Sequence, residues 1–290
     1  MEAVIKSLSK DSHEITFDVP RRKWERWFLL SSDRHHDNAH TNWALEKKHL
    51  DQALERNAGI LDFGDLFCAM QGKWDKRADV TQCRLEHQQG RYLDALVDTA
   101  VDFYKPYANN WLFMSPGNHE VSIVKRHETD LSERFADAMG RNENGNPIVG
   151  AYSGFIRFKP KRLKQNRSDG SIVLFYHHGY GGGGPVTRGV IQTNRMGVYL
   201  PDPEIVVSGH THDQWVLPIA RSRLGKYGKT YIDRQTHVRI PGYKDEYTGG
   251  DGWHHHRGGP PKTNGAFWLR IFLTKTRTED NLDYEILEAR

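Results

Sequence analysis

The chain has 290 residues, of which 37% are hydrophobic and 11% aromatic. This content of apolar side chains excludes a largely disordered protein, and the length suits a single domain that spans residues 1–290. The formal net charge of +4 is compatible with a polyanionic substrate but does not require one.

Five short apolar segments, each followed by a polar cluster, predict buried strands. They are rich in β-branched and aromatic residues and are bounded by glycine or proline, which is typical of strands inside a sheet. In chain order, the segments are 27–30, 60–63, 111–114, 172–176 and 205–207.

Apolar residues at helical spacing between these strands predict helices. One helix covers about 42–56 and a second covers about 85–101. A third begins near Asp130, where Glu133 completes a capping-box pattern, and ends at Gly140. This alternation of strand and helix is typical of the α/β class.

Two regions depart from the alternation. Apolar segments at 215–220, 230–240, 267–274 and 284–287 predict a β-rich C-terminal half from about residue 213. The stretch before Trp111 is longer than a simple crossover requires. We therefore predict a helical insertion at about 67–110 that could cap the functional site, with contributions from Trp74, Lys76 and Arg77.

The polar clusters that follow the strands contain side chains that can bind metal ions. Polar residues beyond the carboxyl ends of strands in an α/β sheet converge at one edge, where such folds bind ligands. Carboxylates and neutral imidazoles suit Mn, Fe, Zn or Co, and the lack of cysteine among them argues against a closed structural zinc site. The set suits two ions that share a carboxylate, bridge a hydroxide and hold a phosphoryl group. Its members are Asp33, His35, Asp65, Asn118, His119, His177, His210 and His212.

These residues form five motifs in a fixed order. The motifs are Asp33-Arg34-His35, Gly64-Asp65, Gly117-Asn118-His119-Glu120, His177 and Gly209-His210-Thr211-His212. Their order resembles that of the calcineurin-like metallophosphoesterases. Each motif alone is common by chance, whereas five in order, each after a predicted strand, are specific. The resemblance implies an α/β fold of two packed mixed β-sheets flanked by helices.

The resemblance also implies a role for each residue. The first ion would be bound by Asp33, His35 and His212. The second ion would be bound by Asn118, His177 and His210. Asp65 would bridge the two ions. His119 would not bind metal but would act near the leaving group as the general acid, a role typically worth about 10²–10⁴-fold in rate. The cofactors would be two divalent ions, with Mn²⁺ favoured and Fe, Zn or Ni as alternatives.

Some assignments stay open. The fourth motif continues as His177-His178-Gly179, so His178 is an alternative ligand. Otherwise we assign His178, together with Arg34, to substrate binding. The motif at Asp33 continues with His36 and Asp37, whose roles the sequence does not fix.

Two further segments have alternative interpretations. The glycines of 181–184 could bring backbone amides near a phosphate or could form a flexible loop. The basic segment 157–167 could follow a nucleic-acid backbone or could be a solvated loop. Trp24, beside the basic residues 21–23, could stack on a base or pack against the domain.

The predicted function is hydrolysis of a phosphate ester by two metal ions. A phosphodiesterase that acts on DNA, RNA or a nucleotide is favoured because of the basic charge balance and the basic segment. The same centre would serve a phosphomonoesterase, including a protein phosphatase. A non-catalytic scaffold is the third interpretation, but every ligand position is filled in this chain. The sequence specifies no protein partner.

The cysteine content and the apolar segments bear on the compartment. Cys68 and Cys83 are too few for a disulfide framework, which favours a reducing environment. The first residues lack the apolar core of a signal peptide, and the longest apolar run is too short to span a bilayer. We therefore expect a cytoplasmic protein without membrane association.

Overall fold

The computed structural model of the chain describes residues 3–19, 24–70, 78–141, 147–162, 170–182, 184, 186–225, 227–249, 253–256, 258–275 and 280–290. The predictions for Trp74, Lys76 and Arg77 lie outside the described residues, as do those for 21–23 and 163–167. Within the described ranges, the structure contains no helix long and apolar enough to cross a membrane.

The strands of the described residues form two sheets. In chain order they are β1 (Val4–Ser9), β2 (Ser12–Val19), β3 (Glu25–Ser31), β4 (Gly59–Asp62), β5 (Trp111–Met114), β6 (Ile148–Val149), β7 (Ser153–Arg162), β8 (Ile172–His177), β9 (Ile205–Ser208), β10 (Trp215–Leu224), β11 (Thr230–Arg239), β12 (Phe267–Lys275) and β13 (Asp280–Glu288). Seven strands pair in the order β1-β2-β7-β8-β9-β11-β10, and six pair in the order β13-β12-β3-β4-β5-β6.

Both sheets are mixed. In the six-stranded sheet, β3, β4, β5 and β6 are parallel neighbours, while β12 is antiparallel to β3 and β13. In the seven-stranded sheet, β8 is parallel to β9 and β9 to β11, while β7 is antiparallel to β8. The four strands predicted after residue 213 correspond to β10, β11, β12 and β13.

Helices lie between the strands, and three of them were predicted. The helices are α1 (Trp43–Glu55), α2 (Tyr92–Tyr104), α3 (Asn118–His127), α4 (Leu131–Ala138), α5 (Val190–Tyr199) and α6 (Trp253–His256). The carboxylate of Asp130 caps α4 by accepting hydrogen bonds from the N–H groups of Ser132 and Glu133 at 3.0 and 3.1 Å. The helix predicted over 85–101 begins only at Tyr92, because Leu85–His87 forms a separate 3₁₀ turn.

The main core lies between the two sheets. Phe28 of β3 packs on Phe158 of β7 with ring centroids 4.8 Å apart, and Phe113 of β5 packs on Tyr176 of β8 at 5.0 Å. All four residues belong to one buried cluster. The predicted fold of two packed mixed sheets flanked by helices is therefore confirmed.

Two further clusters attach the helices to the outer faces of the sheets. Leu96 and Tyr104 of α2 pack with Phe135 of α4 over the six-stranded sheet. Met196 of α5 packs with Val206 of β9 on the seven-stranded sheet. Helix α2 thus belongs to the helix layer, and a cap remains a prediction for the part of the insertion outside the described residues.

The topology brings the motif residues to one edge. Strands β3, β4 and β5 run parallel, as do β8 and β9, and each is followed directly by a polar motif. Because carboxyl ends of parallel strands lie at the same edge, their loops meet there. The basic segment does not form a loop at its start, since 157–162 belongs to β7.

Candidate metal centre

Two groups of potential metal ligands lie in the loops at this edge. Each contains one aspartate and two histidines, whose ligand atoms all lie within 4.8 Å of one another. The groups are Asp33, His35 and His212, and Asp65, His178 and His210. Ligands at about 2.0–2.2 Å from an ion are separated by at most about 4.4 Å. Both groups are therefore close to the size that holds one ion.

In the first group, three ligand atoms face one another. The Nε2 atoms of His35 and His212 are 3.2 Å apart. Asp33 Oδ1 lies 3.3 Å from Nε2 of His212 and 3.9 Å from Nε2 of His35. Asp33 Oδ1 is also buried and accepts no hydrogen bond from the described chain. A buried carboxylate oxygen without a donor is costly, and a metal ion at this position would satisfy it.

In the second group, Nε2 of His178 is the central atom. It lies 3.1 Å from Asp65 Oδ2 and 3.2 Å from Asn118 Oδ1. The other ring nitrogen, Nδ1, donates a hydrogen bond to the carbonyl of Phe63 at 2.9 Å. This bond directs Nε2 toward Asp65, as backbone carbonyls commonly do for metal-binding histidines. The His210 ring lies 5.4 Å from the His178 ring.

The prediction that His177 is a ligand requires correction. His177 belongs to neither group, and its Nδ1 accepts a hydrogen bond from the N–H of Gly179 at 2.9 Å. Its ring packs on Tyr152 and Tyr180 instead. Burial, followed by the neighbouring His178, lowers the pKa of His177 to about 4. The described contacts of His177 therefore lie outside both groups, and His178 occupies the place in the second group that was expected for His177.

The prediction that Arg34 binds substrate also requires correction. Its side chain is fully buried. Nε lies 2.6 Å from Asp62 Oδ2, Nη1 lies 2.6 Å from Glu46 Oε1, and Nη2 donates to Ser31 Oγ at 2.7 Å. With these partners, Arg34 is part of the interior and does not face the edge where the ligands meet.

His119 lies beside both groups but belongs to neither. Its Nδ1 donates to the carbonyl of Cys68, and Nε2 lies 3.6 Å from Asp65 Oδ2. Its ring meets the His35 ring edge-on at 5.2 Å. The side chain is 12% exposed, compared with 2% for Asp65. His119 therefore sits at the solvent side of the centre with Nε2 available.

Strained backbone marks the ligand positions. The φ angles of Asp33, His35, Asp65, His210 and His212 are +52°, +46°, +55°, +72° and +52°. Left-handed conformations are uncommon for residues other than glycine, and they cluster at functional sites. Hydrogen bonds between loops hold them, including Asp33 N–H to Gly64 O at 2.8 Å and His35 N–H to Asp65 O at 3.1 Å.

Two motif glycines allow the loops to interlock. A Cβ atom at Gly117 would overlap the carboxylate and backbone nitrogen of Asp65. A Cβ atom at Gly209 would overlap Ser32 Oγ and the carboxylate of Asp33. Any side chain at either position would separate strand-end loops that the ligands need in contact.

Glu120 is a positioning residue to which the sequence assigned no role. Its buried carboxylate accepts hydrogen bonds from the N–H groups of Asp65 at 3.2 Å, Phe67 at 2.9 Å and Gly117 at 2.8 Å. It therefore fastens the loop after β4 to the start of α3. Burial, followed by the charge of Asp65, raises its pKa to about 8. The spacing from Gly117 to Glu120 is that of a capping box, which was the available signal.

Asp37 holds the turn that orients His119. Its carboxylate accepts hydrogen bonds from the N–H groups of Cys68 at 2.6 Å and Ala69 at 3.0 Å, and from the Tyr92 hydroxyl at 2.8 Å. This fixes the Cys68 carbonyl to which His119 donates. The preceding residue, His36, is buried among aromatic rings and does not face the centre.

Both carboxylates and two of the four imidazoles of the site have pKa shifts that suit metal binding. Burial alone raises the pKa of Asp33 and of Asp65, but the nearby imidazoles, chiefly His178, outweigh it and hold both below the ordinary range. Burial lowers the pKa of His35 and His210. His178 and His212 are opposite. Asp65 and Asp33 overcome burial and raise the pKa of His178 to about 10, and Asp33 overcomes burial and raises the pKa of His212. Charged carboxylates and neutral imidazoles are the forms that bind metal ions.

The overall structure was compared with solved structures. It is similar to vacuolar protein sorting 29 from Cryptosporidium parvum, with 12% identity, 92% of this chain and 100% of that chain covered, and a TM-score of 0.36. A predicted phosphoesterase from Streptococcus pneumoniae gives 7% identity, 90% and 99% coverage, and a TM-score of 0.33. GAP50, the anchor in the inner membrane complex of Plasmodium, gives 10% identity, 92% and 89% coverage, and a TM-score of 0.36. TM-scores this low carry no conclusion about the chain.

A comparison with curated protein sequences gave no match. The sequence profile of the family described as calcineurin-like phosphoesterase matches residues 26–214. This range contains all five motifs and both groups of candidate ligands. The chain belongs to the calcineurin-like phosphoesterase family.

Proposed function

We propose that this chain hydrolyses phosphate esters with two divalent metal ions. The observation that carries the proposal is the convergence of two aspartate and histidine groups at one sheet edge. The first ion would be held by Asp33, His35 and His212, and the second by Asn118, His178 and His210, with Asp65 shared. Bound there, two divalent ions would supply Lewis acidity and a nucleophilic hydroxide near neutral pH. Mn²⁺ is the first candidate, with Fe, Zn or Ni as alternatives.

The role of general acid falls to His119. Its Nδ1 proton is engaged by the Cys68 carbonyl, so the proton that the imidazolium can give up lies on Nε2. Nε2 faces the shared carboxylate from the solvent side, where the alcohol group of an ester would leave. A proton from Nε2 would neutralise the developing alkoxide. This role requires no contact between His119 and metal.

The favoured activity is that of a phosphodiesterase that acts on nucleic acid. On the outer face of the seven-stranded sheet, Lys6, Arg157 and Lys159 surround one carboxylate, Glu14, at 3.5, 3.8 and 3.6 Å. Lys161 adjoins them and helps line a cavity of about 360 Å³. Alternate residues of a strand share a face, so β7 presents a row of cations in excess over the single carboxylate. Such a row suits the backbone of a polyanion.

Substrate preference separates this proposal from its alternatives. With Mn²⁺ bound, we expect faster turnover of bis-para-nitrophenyl phosphate than of the mono-ester, and hydrolysis of single-stranded DNA or RNA that weakens steeply as salt rises. Preference for the mono-ester would favour a phosphomonoesterase. Metal-loaded protein that turns over no ester would favour a non-catalytic scaffold.

The cationic row is tested with a matched pair of variants. Replacing Lys159 and Lys161 with alanine should remove about two phosphate contacts. The slope of log affinity for an oligonucleotide against log salt concentration should therefore fall by about 2. The same double replacement at Lys47 and Lys48, exposed on α1, should change nothing. Equal salt dependence in both double variants would exclude the cationic row from substrate binding. The proposal of a metal centre would not be affected by that result.

A further inference from the structure

Tyr180 presents an exposed aromatic ring at the rim of the candidate metal centre. The residue follows His178 by two positions, and its side chain is 45% exposed. Between them, a Cβ atom at Gly179 would lie 2.6 Å from Cβ of His210, so this segment packs directly on the ligand loop. The ring of Tyr180 is therefore open to solvent beside two candidate ligands of the second ion.

Hydrogen bonds on both sides hold the backbone around Tyr180. The N–H of Gly179 donates to Nδ1 of His177 at 2.9 Å, and the Gly179 carbonyl accepts from the Tyr152 hydroxyl at 2.7 Å. The Tyr180 carbonyl accepts from Nε2 of Gln192 on α5 at 3.2 Å. The His177 ring meets the Tyr180 ring with centroids 5.6 Å apart and planes at 70°. Such a contact occupies at most one face of the Tyr180 ring. A planar group can therefore stack on the other face at a small cost in ordering, because the backbone is already held.

The sheet face that carries His177 continues into the cationic row of β7. Ser153 of β7 pairs with His177 of β8, and opposite residues of an antiparallel pair share one face. Arg157 and Lys161 follow Ser153 at even spacing and lie on that face too. At about 3.3 Å per residue, they lie about 13 and 26 Å from Ser153 along the strand. An aromatic ring at one end of a row of cations is the combination with which proteins bind single-stranded nucleic acid.

We propose that Tyr180 stacks on an unpaired base of a single-stranded nucleic acid whose scissile phosphate lies at the metal centre. Phosphates further along the same strand would then meet the cationic row. The inference rests on the proposed function and narrows its substrate class to single-stranded DNA or RNA, because the bases of a duplex are stacked on one another and do not offer their faces. Since every base has an aromatic face, stacking on Tyr180 selects for an unpaired base and not for a base sequence.

Paired substrates test the stacking on the unmodified protein. With Mn²⁺ bound, we compare the para-nitrophenyl phosphate esters of thymidine, at the 5′ or the 3′ oxygen, with the same esters of abasic 1,2-dideoxyribose. The leaving group and the reacting phosphate are identical within each pair, which differs only in the base. The base should raise kcat/KM about tenfold in at least one pair, mainly through KM, within the range expected for one stacked base. Equal kcat/KM within both pairs would overturn the inference, while turnover of these esters would still support the proposed function.

Calorimetric binding measures the same contact without turnover. The metal-loaded protein should bind single-stranded oligothymidine about tenfold more tightly than an abasic oligomer of the same length, which carries the same phosphates. A difference in affinity without hydrolysis of any ester would retain the stacking site and reject the proposed function. Equal affinities would overturn the stacking site, since phosphate contacts alone would then account for binding.

Variants then assign the base to Tyr180. Y180A should remove the advantage of the thymidine ester over the abasic ester, whereas Y180F should keep it, because the ring and not the hydroxyl forms the stack. Y231A removes a tyrosine of similar exposure, 50%, on β11 and is the matched control, which should keep the full advantage. The same advantage in Y180A and Y231A would overturn the assignment. Release of metal from Y180A, with equal losses on both kinds of ester, would also overturn it, because Tyr180 would then only support the ligand loop.

Discussion

Replacing Arg34 with methionine should destabilise the fold strongly and leave substrate binding largely intact. The side chain is fully buried and neutralises two buried carboxylates, Asp62 and Glu46, at 2.6 Å each. Breaking a buried pair by removing one partner costs about 3–5 kcal/mol. Because two carboxylates lose the same cation, we expect the upper end, about 5 kcal/mol. At about 2–4 °C per kcal/mol for a large domain, the melting temperature should fall by at least about 10 °C.

The loss at Arg34 should depend on pH. Burial raises the pKa of Glu46 and of Asp62, and Arg34 partly offsets it. Without the guanidinium, both pKa values rise further above their values in the unfolded chain. A carboxyl group with a raised folded pKa binds a proton on folding, so stability falls as pH increases from its unfolded pKa, about 4, toward its folded pKa. The difference in free energy of unfolding between the variant and the unmodified protein should therefore be larger at pH 8 than at pH 5.

Urea unfolding in the presence of EDTA measures this effect without a contribution from metal binding. Arg270 provides the matched control, since it also pairs with two carboxylates, Glu25 at 2.6 Å and Glu285 at 2.9 Å, but lies at the surface. Arg270→Met should lower the free energy of unfolding by less than about 1 kcal/mol. If Arg34→Met proved as stable as the control and instead raised KM, Arg34 would be a substrate-binding residue and the argument from burial would be refuted.

Three further predictions concern the metal centre. His178→Ala should bind one metal ion instead of two and lose turnover, whereas the adjacent His177→Ala should keep both ions. Equal metal content in these two variants, measured by mass spectrometry, would contradict the assignment of His178. Asp65→Ala should lose both ions and activity, and retention of a tightly bound ion would argue against a shared ligand. His119→Ala should keep both ions but lose about 10²–10⁴-fold in kcat on esters with poor leaving groups. Full activity on such an ester would exclude His119 as the general acid.

The sequence predicted the fold class and the strands that carry the ligands, because buried strands and the polar clusters after them have strong local patterns. It did not predict β1 and β2, although in β2 the alternate residues His13, Ile15, Phe17 and Val19 are all buried. Helix α3 was also not predicted. It has few apolar residues, and its local signal, the capping-box spacing from Gly117 to Glu120, does not include the contacts of Glu120 with the loop after β4.

The close packing of the loops could not be derived from propensity either. Five candidate ligands adopt left-handed conformations that are uncommon for residues other than glycine. Each such residue costs on the order of 1–3 kcal/mol and persists only where its surroundings enforce the conformation. The enforcement comes from chain segments far apart in sequence, such as the contact of Gly117 with Asp65. Motif order therefore indicated the candidate site, whereas its geometry depends on tertiary packing.

The two site assignments that the structure corrects have one physical cause. Both His177 and Arg34 were assigned by closeness to ligands along the chain, without regard to side-chain direction. Ile172, Leu174 and Tyr176 of β8 point into the core, so the two-residue period puts His178, and not His177, on that side. The direction of the Arg34 side chain also differs from that of its neighbours, since Asp33 and His35 approach His212 while Arg34 pairs with Asp62 and Glu46. Strand alternation accounts for His177, the last residue of β8, whereas Arg34 lies three residues beyond β3 in a loop whose left-handed backbone at Asp33 and His35 no strand period predicts.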